Sequence, residues 1–425
     1  MSQAILDGYI PYRDFFLADP PFFPLLFAGW KFVIGNNLIL FKIWPIIFDS
    51  LSAFLIFLIL KKRGVIWPAM GTAFYLFSFT VLSTSSYVTG GEVMVFFMLL
   101  AFFFDENEKG FFSGISWALA CLSKLYAAPI LIGFLIYKIV KKDFKGLKKI
   151  IQGGILATLI IIGPFLLFAS KEMLDNLVLH QFSRPAGLNK IEVLLFFGKY
   201  EWLLLVSAIA GLLFNIKKDL LLPLFFSILF FLWYPDLYYL YLHPIIPLFI
   251  IITIELIDGL HRRIFNDIAL AYILLYIMLS IYPISYYANV ISHQDVFENP
   301  REIGVILQGA PETYPVFGVQ EVAPLLALIS GKPIFNNIID SNTQSFASGA
   351  QSRNEISKQA VKNGIYLVSR VAEYPDLGIK DFGYEGYFDP VIFRSSCTLY
   401  KSFDRELKFE QLNKINIYSC YNPNI

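Results

Sequence analysis

The chain has 425 residues with 34 basic and 33 acidic side chains, a net charge of +1, and is 56% hydrophobic but only 16% charged. A soluble chain of this length carries about 25% charge, and a single core could not bury so much apolar surface. This excludes a soluble cytosolic enzyme, a disordered chain and a disulfide-rich mini-domain, and the near-zero net charge gives no electrostatic reason to expect nucleic acid.

The charge is also uneven, about 14% over residues 1–288 and about 20% over 289–425. The pattern predicts a polytopic α-helical membrane protein with a small C-terminal α/β extracytoplasmic domain. Three parts follow: residues 1–37 as an external loop with a juxtamembrane helix, 38–288 as a transmembrane helical bundle, and 289–425 as the extracytoplasmic domain. Within the first part, residues 21–34 are too short to span easily. They are bounded by Pro20-Pro21 and Gly35, and Trp30 with Lys31 suits an interface; the segment reads as a helix lying on the outer membrane surface, or as a half-buried hairpin.

A bilayer core of about 30 Å takes about 20 apolar residues as helix. On that basis ten spans lie near 38–60, 66–82, 92–104, 111–123, 125–140, 150–169, 193–214, 220–234, 238–257 and 264–288, and four of them are short. One set of alternate loops holds 14 basic residues: Lys61, Lys62, Arg63, Lys109, six lysines from 138 to 149, Lys217, Lys218, Arg262 and Arg263. The opposite set holds six: Arg13, Lys31, Lys124, Lys171, Arg184 and Lys190. The first set is therefore expected in the cytoplasm, where its lysines read as orientation and headgroup contacts. The N-terminal segment and the C-terminal domain are then both external. No signal peptide or span precedes that external segment, and unaided export of 37 residues is uncommon, so the pattern predicts a further helix upstream, eleven in all.

Beyond Tyr287 the pattern changes to strand and helix in alternation. Pro315–Val319 reads as a strand, Glu321–Ser330 as a helix stopped by Gly331, Pro333–Phe335 as the start of a strand, 353–363 as an amphipathic helix and Gly364–Val368 as a strand. This is a small α/β unit with a partly parallel sheet, and no Gly-rich phosphate fingerprint sits at its first strand–helix turn. Cys121 falls in a span. Cys397 and Cys420 both fall in the tail, where a disulfide persists if the tail is external and two free thiols are the other reading.

Ionisable residues at membrane depth are costly and so informative. On the outer side they converge: Asp7, Arg13, Asp14 and Asp19 in the first loop, Glu92 before the third span, Lys124 at a hairpin tip, His180 and Arg184 in the 170–192 loop, and Asp236, Tyr238, Tyr239, Tyr241 and His243 near the ninth span. A carboxylate facing an apolar site can act as general base toward a hydroxyl, and Arg and Lys there can hold a phosphate. Each also has a plainer reading. Arg13 beside Asp14 reads as a surface pair worth at most about 1 kcal/mol. Lys124 reads as a snorkelling lysine, Glu92 as a helix N-terminal carboxylate favoured by the macrodipole, and His180 and His243 as packing residues. No His or Cys pair has metal-ligand spacing, so no metal site is assigned; Asp7, Asp14 and Asp19 are the carboxylates available to a divalent cation.

Gly8-Tyr9-Ile10-Pro11-Tyr12-Arg13-Asp14-Phe15-Phe16, followed by Asp19-Pro20-Pro21-Phe22-Phe23-Pro24, resembles the first external loop of the GT-C membrane glycosyltransferases, among them the protein O-mannosyltransferases and the lipid A aminoarabinose transferase. Thr89-Gly90-Gly91-Glu92, Leu119-Ala120-Cys121-Leu122-Ser123-Lys124 and Tyr239-Leu240-Tyr241-Leu242-His243-Pro244-Ile245-Ile246-Pro247 add to the likeness, which covers about residues 1–290. The resemblance implies a polyprenyl-phosphate sugar donor, chemistry on the outer face, an acidic residue that deprotonates the acceptor, and inversion at the anomeric carbon. In the family that acid lies upstream of the Gly-x-x-Pro-Tyr stretch. Within this chain Asp14 and Glu92 match acidic positions and are the expected catalytic residues. Arg13, Lys124 and Arg184 are expected to bind phosphate, and Tyr241 and His243 to line the sugar site. The expected partners are the lipid-linked donor, a protein, glycan or lipid acceptor, and membrane lipids. The rival readings are a transporter or lipid-carrier flippase, which predicts paired repeats and broken helices near the midplane, and a non-catalytic membrane scaffold.

Overall fold

The computed structural model describes residues 1–85, 87–214, 218–263, 268–292, 298–320, 322–374, 379–381, 383–404 and 412–424. Lys217, among the charged-loop residues, and Glu321, the expected start of a helix, lie outside the described residues. The chain is mostly helical with one small sheet. A short helix α1 (Ser2–Leu6) leads through an irregular loop to α2 (Phe22–Ile34), a helix where residues 21–34 were expected to form one. The bundle then runs α3 (Leu38–Lys62), α4 (Pro68–Leu76), α5 (Phe79–Thr84), α6 (Gly91–Glu106), α7 (Gly110–Ser123), α8 (Ala127–Val140) and α9 (Phe144–Phe168). Two short helices, α10 (Ser170–Leu174) and α11 (His180–Ser183), flank a wide turn at Asp175–Leu179. α12 (Lys190–Phe214), α13 (Lys218–Trp233), α14 (Ile245–Arg263) and α15 (Ile268–Ser292) complete the bundle.

Each expected span is met by helix. Among the described residues α3, α9 and α12 are long and apolar enough to cross a membrane by length and composition, while α7, α8 and the apolar part of α13 are shorter. The outer surface of α9 carries Ile155, Leu159, Ile160 and Phe168 exposed, with Leu167 at 81%. A contiguous apolar surface of that kind belongs in lipid. Local signals set the helix starts: Asn37 Oδ1 accepts the N–H of Ile39 and Leu40 at the head of α3, and Asp143 Oδ1 accepts that of Gly146 at the head of α9. α7 and α9 pack backbone to backbone: a Cβ on Gly114 would overlap the Ile150 carbonyl oxygen, and one on Gly153 the Phe111 carbonyl oxygen.

The expected span 66–82 is two helices rather than one. Ser78 is extended (ψ 129) between α4 and α5, and its hydroxyl caps Val81. Glu201, at a kink in α12, accepts from Ser78 Oγ at 2.6 Å and from the Thr80 N–H at 2.9 Å, so a carboxylate from a distant helix holds the break open.

At the opposite end of the bundle from the first loop, two of the basic loop residues are buried in ion pairs. Arg63 meets Glu106 and Asp219 at 2.6 Å and Glu255 at 3.1 Å. Lys138 meets Asp105 at 2.6 Å and Asp143 at 3.1 Å. These two lock helices together, beyond the orientation and headgroup role read from the sequence.

The C-terminal unit contains α16 (Glu298–Gln308), β1 (Val316–Gly318), α17 (Ala323–Ser330), α18 (Thr343–Ala347), α19 (Arg353–Asn363), β2 (Ile365–Tyr374), β3 (Ile379–Asp381), α20 (Pro390–Ser396), β4 (Cys397–Asp404) and β5 (Leu412–Cys420). The strands order as β1-β2-β5-β4, with β3 on β2; β1 runs parallel to β2 and the other pairs are antiparallel. Alternation along β2 sends Tyr366 and Val368 to a layer with Ile303, Leu307 and Leu326, and Ile365 and Leu367 to one with Val361, Tyr387 and Phe388. The strand expected from Pro333 is only a single bridge, Ile334 to Val316. Asn336 and Asn337 turn it into a one-turn helix at φ 47 and 55, a conformation Asn tolerates. Cys397 faces Cys420 across β4 and β5, and the two form a disulfide.

Candidate functional site

The first loop and the helix ends next to it meet the C-terminal unit at one place. Tyr12, Phe15 and Leu17 pack with Phe165, Ala169 and Met173 at the end of α9, and with Ile339 of the C-terminal unit. This apolar packing fixes the loop so that Asp19 reaches Lys124, which leaves α7 in an extended conformation (φ −151, ψ 134). Lys124 Nζ donates to Asp19 Oδ2 at 2.7 Å. The pair stands at the polar end of a cavity of about 320 Å³ whose walls are apolar, among them Ile132, Leu177, Phe182, Phe230 and Trp233.

A chain of donors ties that cavity to the 170–192 loop. Arg184 Nη1 donates to Tyr234 Oη and Asp236 Oδ2, both at 3.3 Å. Tyr234 donates to Gln181 Oε1 at 2.9 Å, and Gln181 Nε2 donates to the Ala18 carbonyl at 2.8 Å, beside Asp19. Tyr241 stacks on Tyr126 with ring centroids 4.4 Å apart, next to Tyr234. Burial works against the Arg184 cation, but Tyr234, Tyr126, Tyr241 and Asp236 outweigh it and hold the guanidinium more firmly protonated. Burial raises the Asp236 carboxyl, and Arg184 opposes that.

His180 closes the chain. Arg184 Nε–H donates to His180 Nε2 at 3.2 Å, and since guanidinium only donates, the neutral ring carries its proton on Nδ1, 2.9 Å from Ser348 Oγ. The Ser348 hydroxyl in turn donates a hydrogen bond to the Ser345 carbonyl at 3.1 Å. Burial, then the Arg184 charge, lower the His180 pKa to about 4.

A second polar set lies deeper in the bundle. Tyr75 donates to Asp49 Oδ1 at 3.0 Å and lies 3.0 Å from His243 Nε2, while Ser85 donates to Asp49 Oδ2 and Thr84 Oγ1 lies 3.4 Å from His243 Nδ1. Gly90, in a left-handed conformation (φ 83) under the Phe23 ring, starts α6 so that Glu92 is buried in its first turn, 3% exposed. Glu92 Oε1 makes no hydrogen bond among the described residues. Glu92 lies in the electrostatic reach of both Asp49 and Lys124, between the two polar sets.

The structure thus places Lys124 in the cavity wall, Arg184 and Tyr241 against its lining residues Tyr234 and Tyr126, and Glu92 and His243 in the second polar set. It does not bring Arg13 and Asp14 there. Arg13 Nε and Nη2 donate to the two Asp14 oxygens at 2.8 and 2.9 Å, and the Ile10 N–H donates to Oδ2 at 2.7 Å. Arg13, with the Ile10 N–H, lowers the Asp14 carboxyl from its ordinary value, which makes it a weaker base in a turn. Asp19, rather than Asp14, is the first-loop carboxylate that lines the cavity, and Asp49, Gln181 and Tyr234 join the two polar sets without having been singled out. A lone carboxylate inside the apolar run 38–60 was the available signal for Asp49. Among the described residues no group of three or more His, Cys, Asp or Glu side chains is arranged to hold a metal ion.

No protein-family model matches the chain, and no curated protein does. Two solved structures share its fold. One is ArnT from Cupriavidus metallidurans bound to undecaprenyl phosphate, at a TM-score of 0.64 and 11% identity over 98% of this chain and 91% of that one. The other is the same ArnT in the apo state, at 0.58 and 13% over 95% and 88%. The fold expected from the resemblance in the first loop is therefore the fold of the chain, that of ArnT.

Proposed function

We propose that the protein is an integral-membrane glycosyltransferase that moves a sugar from a polyprenyl-phosphate donor to an acceptor on the extracytoplasmic face. The observation that carries this reading is the apolar cavity whose lining includes the Lys124–Asp19 ion pair. An isoprenoid chain suits its walls and a phosphate suits its polar end, and the structural neighbour binds a lipid of this class. Lys124 and Arg184 hold the phosphate. Tyr241 and His243 line the approach to the sugar.

Glu92 or Asp19 takes the proton of the acceptor hydroxyl. The acceptor oxygen bonds to the anomeric carbon as the bond from that carbon to the phosphate oxygen breaks, which inverts the centre and releases polyprenyl phosphate. One well-placed donor to the charge developing on that phosphate is worth about 3–4 kcal/mol. Residues 1–37, 38–288 and 289–425 are the external loop, the bundle and the external domain of this enzyme. The disulfide at Cys397 and Cys420 suits an oxidising compartment.

The test is transfer of labelled sugar from a polyprenyl-phosphate donor in membrane vesicles, with Glu92→Gln, Asp19→Asn and Asp14→Asn. Loss of about 100-fold or more is expected for one or both of the first two, with Asp14→Asn near wild type. Wild-type rates for both Glu92→Gln and Asp19→Asn would overturn the assignment.

A further inference from the structure

The charged groups at the cavity do not come from the bundle alone. Residues 339–348 of the C-terminal unit close over them: Ile339 packs with Tyr12 and Leu17, and Ser348 meets His180 at 2.9 Å. Asp340 is the one charged side chain in this segment. Its Oδ1 accepts the Asn342 N–H at 3.1 Å, and its carboxylate interacts with Asp19, Arg184 and Lys124. Two cations, Lys124 and Arg184, therefore meet three carboxylates, Asp19, Asp236 and Asp340, while the Met1 amine, which also interacts with Asp340, is pushed toward its neutral form by burial. The cluster holds a surplus negative charge before any phosphate enters.

On the lipid-phosphate reading, on which this step rests, the ligand changes charge as it reacts. The donor is a phosphodiester with one negative charge. The product is a phosphomonoester with close to two at neutral pH. Carboxylates near the phosphate repel the product more than the donor, because Coulomb energy scales with ligand charge. We propose that Asp340 is a specificity-determining residue by which the C-terminal unit makes the site favour the singly charged donor over the doubly charged product, and so drives product release. Release sets the turnover rate of many enzymes, and a lipid product that stays in the membrane rebinds readily.

The test titrates decaprenyl phosphate and its methyl phosphodiester into the purified full chain in nanodiscs, read by tryptophan fluorescence, since Trp233 lines the cavity. Wild type should bind the diester more tightly. Asp340→Asn should tighten the diester about threefold and the monoester about tenfold, the larger gain following the larger charge. Asp340→Glu should keep the wild-type preference. Equal gains for both lipids, or none, would overturn the role of Asp340 while leaving the lipid-phosphate reading intact. Failure of wild type to bind either lipid would overturn that reading and this inference with it.

Discussion

Replacing Lys124 with Met removes the cation at the polar end of the cavity and keeps its stem. In the free chain little should be lost. The Lys124 side chain is 15% exposed and Asp19 is 35% exposed, so solvent screens the pair and its contribution is at most about 1 kcal/mol. Binding is a different matter. A phosphate at this end exchanges Asp19 for itself on Nζ, and a hydrogen bond to a charged group contributes about 1.5–3 kcal/mol, or roughly 10- to 150-fold in Kd. The upper end is expected, because Asp19 then faces the phosphate with no cation between them. Polyprenyl phosphate binding by the detergent-purified protein, followed by tryptophan fluorescence, measures it. The thermal midpoint is the control for folding. Asp19→Asn should bind as well as wild type or better, since it frees Lys124, and the double variant should recover part of the loss. A Lys124→Met protein that binds within about threefold of wild type would refute the placement of the phosphate.

Arg63→Met should destabilise the chain by about 3–5 kcal/mol, because it leaves Glu106, Asp219 and Glu255 converging on a guanidinium site that is 7% exposed; thermal unfolding in detergent checks it, and an unchanged midpoint would contradict the buried network. His180 gives a pH dependence. Its folded pKa is about 4 against an ordinary 6.5, so between those values the unfolded chain takes up a proton that the folded chain does not. Stability is full above pH 6.5 and declines as pH falls toward 4. His180→Gln should flatten that part of a thermal midpoint profile, and an identical slope in the variant would count against the docking of His180 on Ser348.

The bundle was legible because apolar runs of span length leave the backbone one good solution, which is helix. The break at Ser78 was not. No Pro or Gly marks it, and the group that stabilises it is Glu201, far along the chain. The site follows the same division. Arg13 and Asp14 are conspicuous as neighbours, and because they are neighbours they satisfy each other. Asp19 has no charged neighbour in sequence, and its partner Lys124 is supplied by the turn between α7 and α8. Sequence proximity favours local pairs, whereas a binding site needs charges that local geometry leaves available. In the C-terminal unit β1 and the start of β2 were readable as apolar runs. β4 was not, since Cys397–Asp404 carries Thr, Tyr, Lys and Ser on a face that solvent partly reaches, and only pairing with β5 makes it a strand.

On the proposed function, Glu92 links the two polar sets. A carboxylate oxygen that is buried and unpaired costs free energy in the folded chain, and Glu92 Oε1 is in that state among the described residues. The bundle has hydroxyls for the purpose elsewhere: Tyr75 and Ser85 both serve Asp49. On the glycosyltransferase reading, an acceptor hydroxyl that reaches Glu92 would supply the missing donor, and the interaction would form only with substrate present and be strongest as the proton moves, which is where binding contributes to rate. Stability and activity should then part company in Glu92→Gln. The amide keeps the shape without a buried carboxyl, so the thermal midpoint should hold or rise while transfer falls about 100-fold or more. A midpoint that falls together with activity would mean that Glu92 is a structural carboxylate with partners of its own, and the base would then be Asp19.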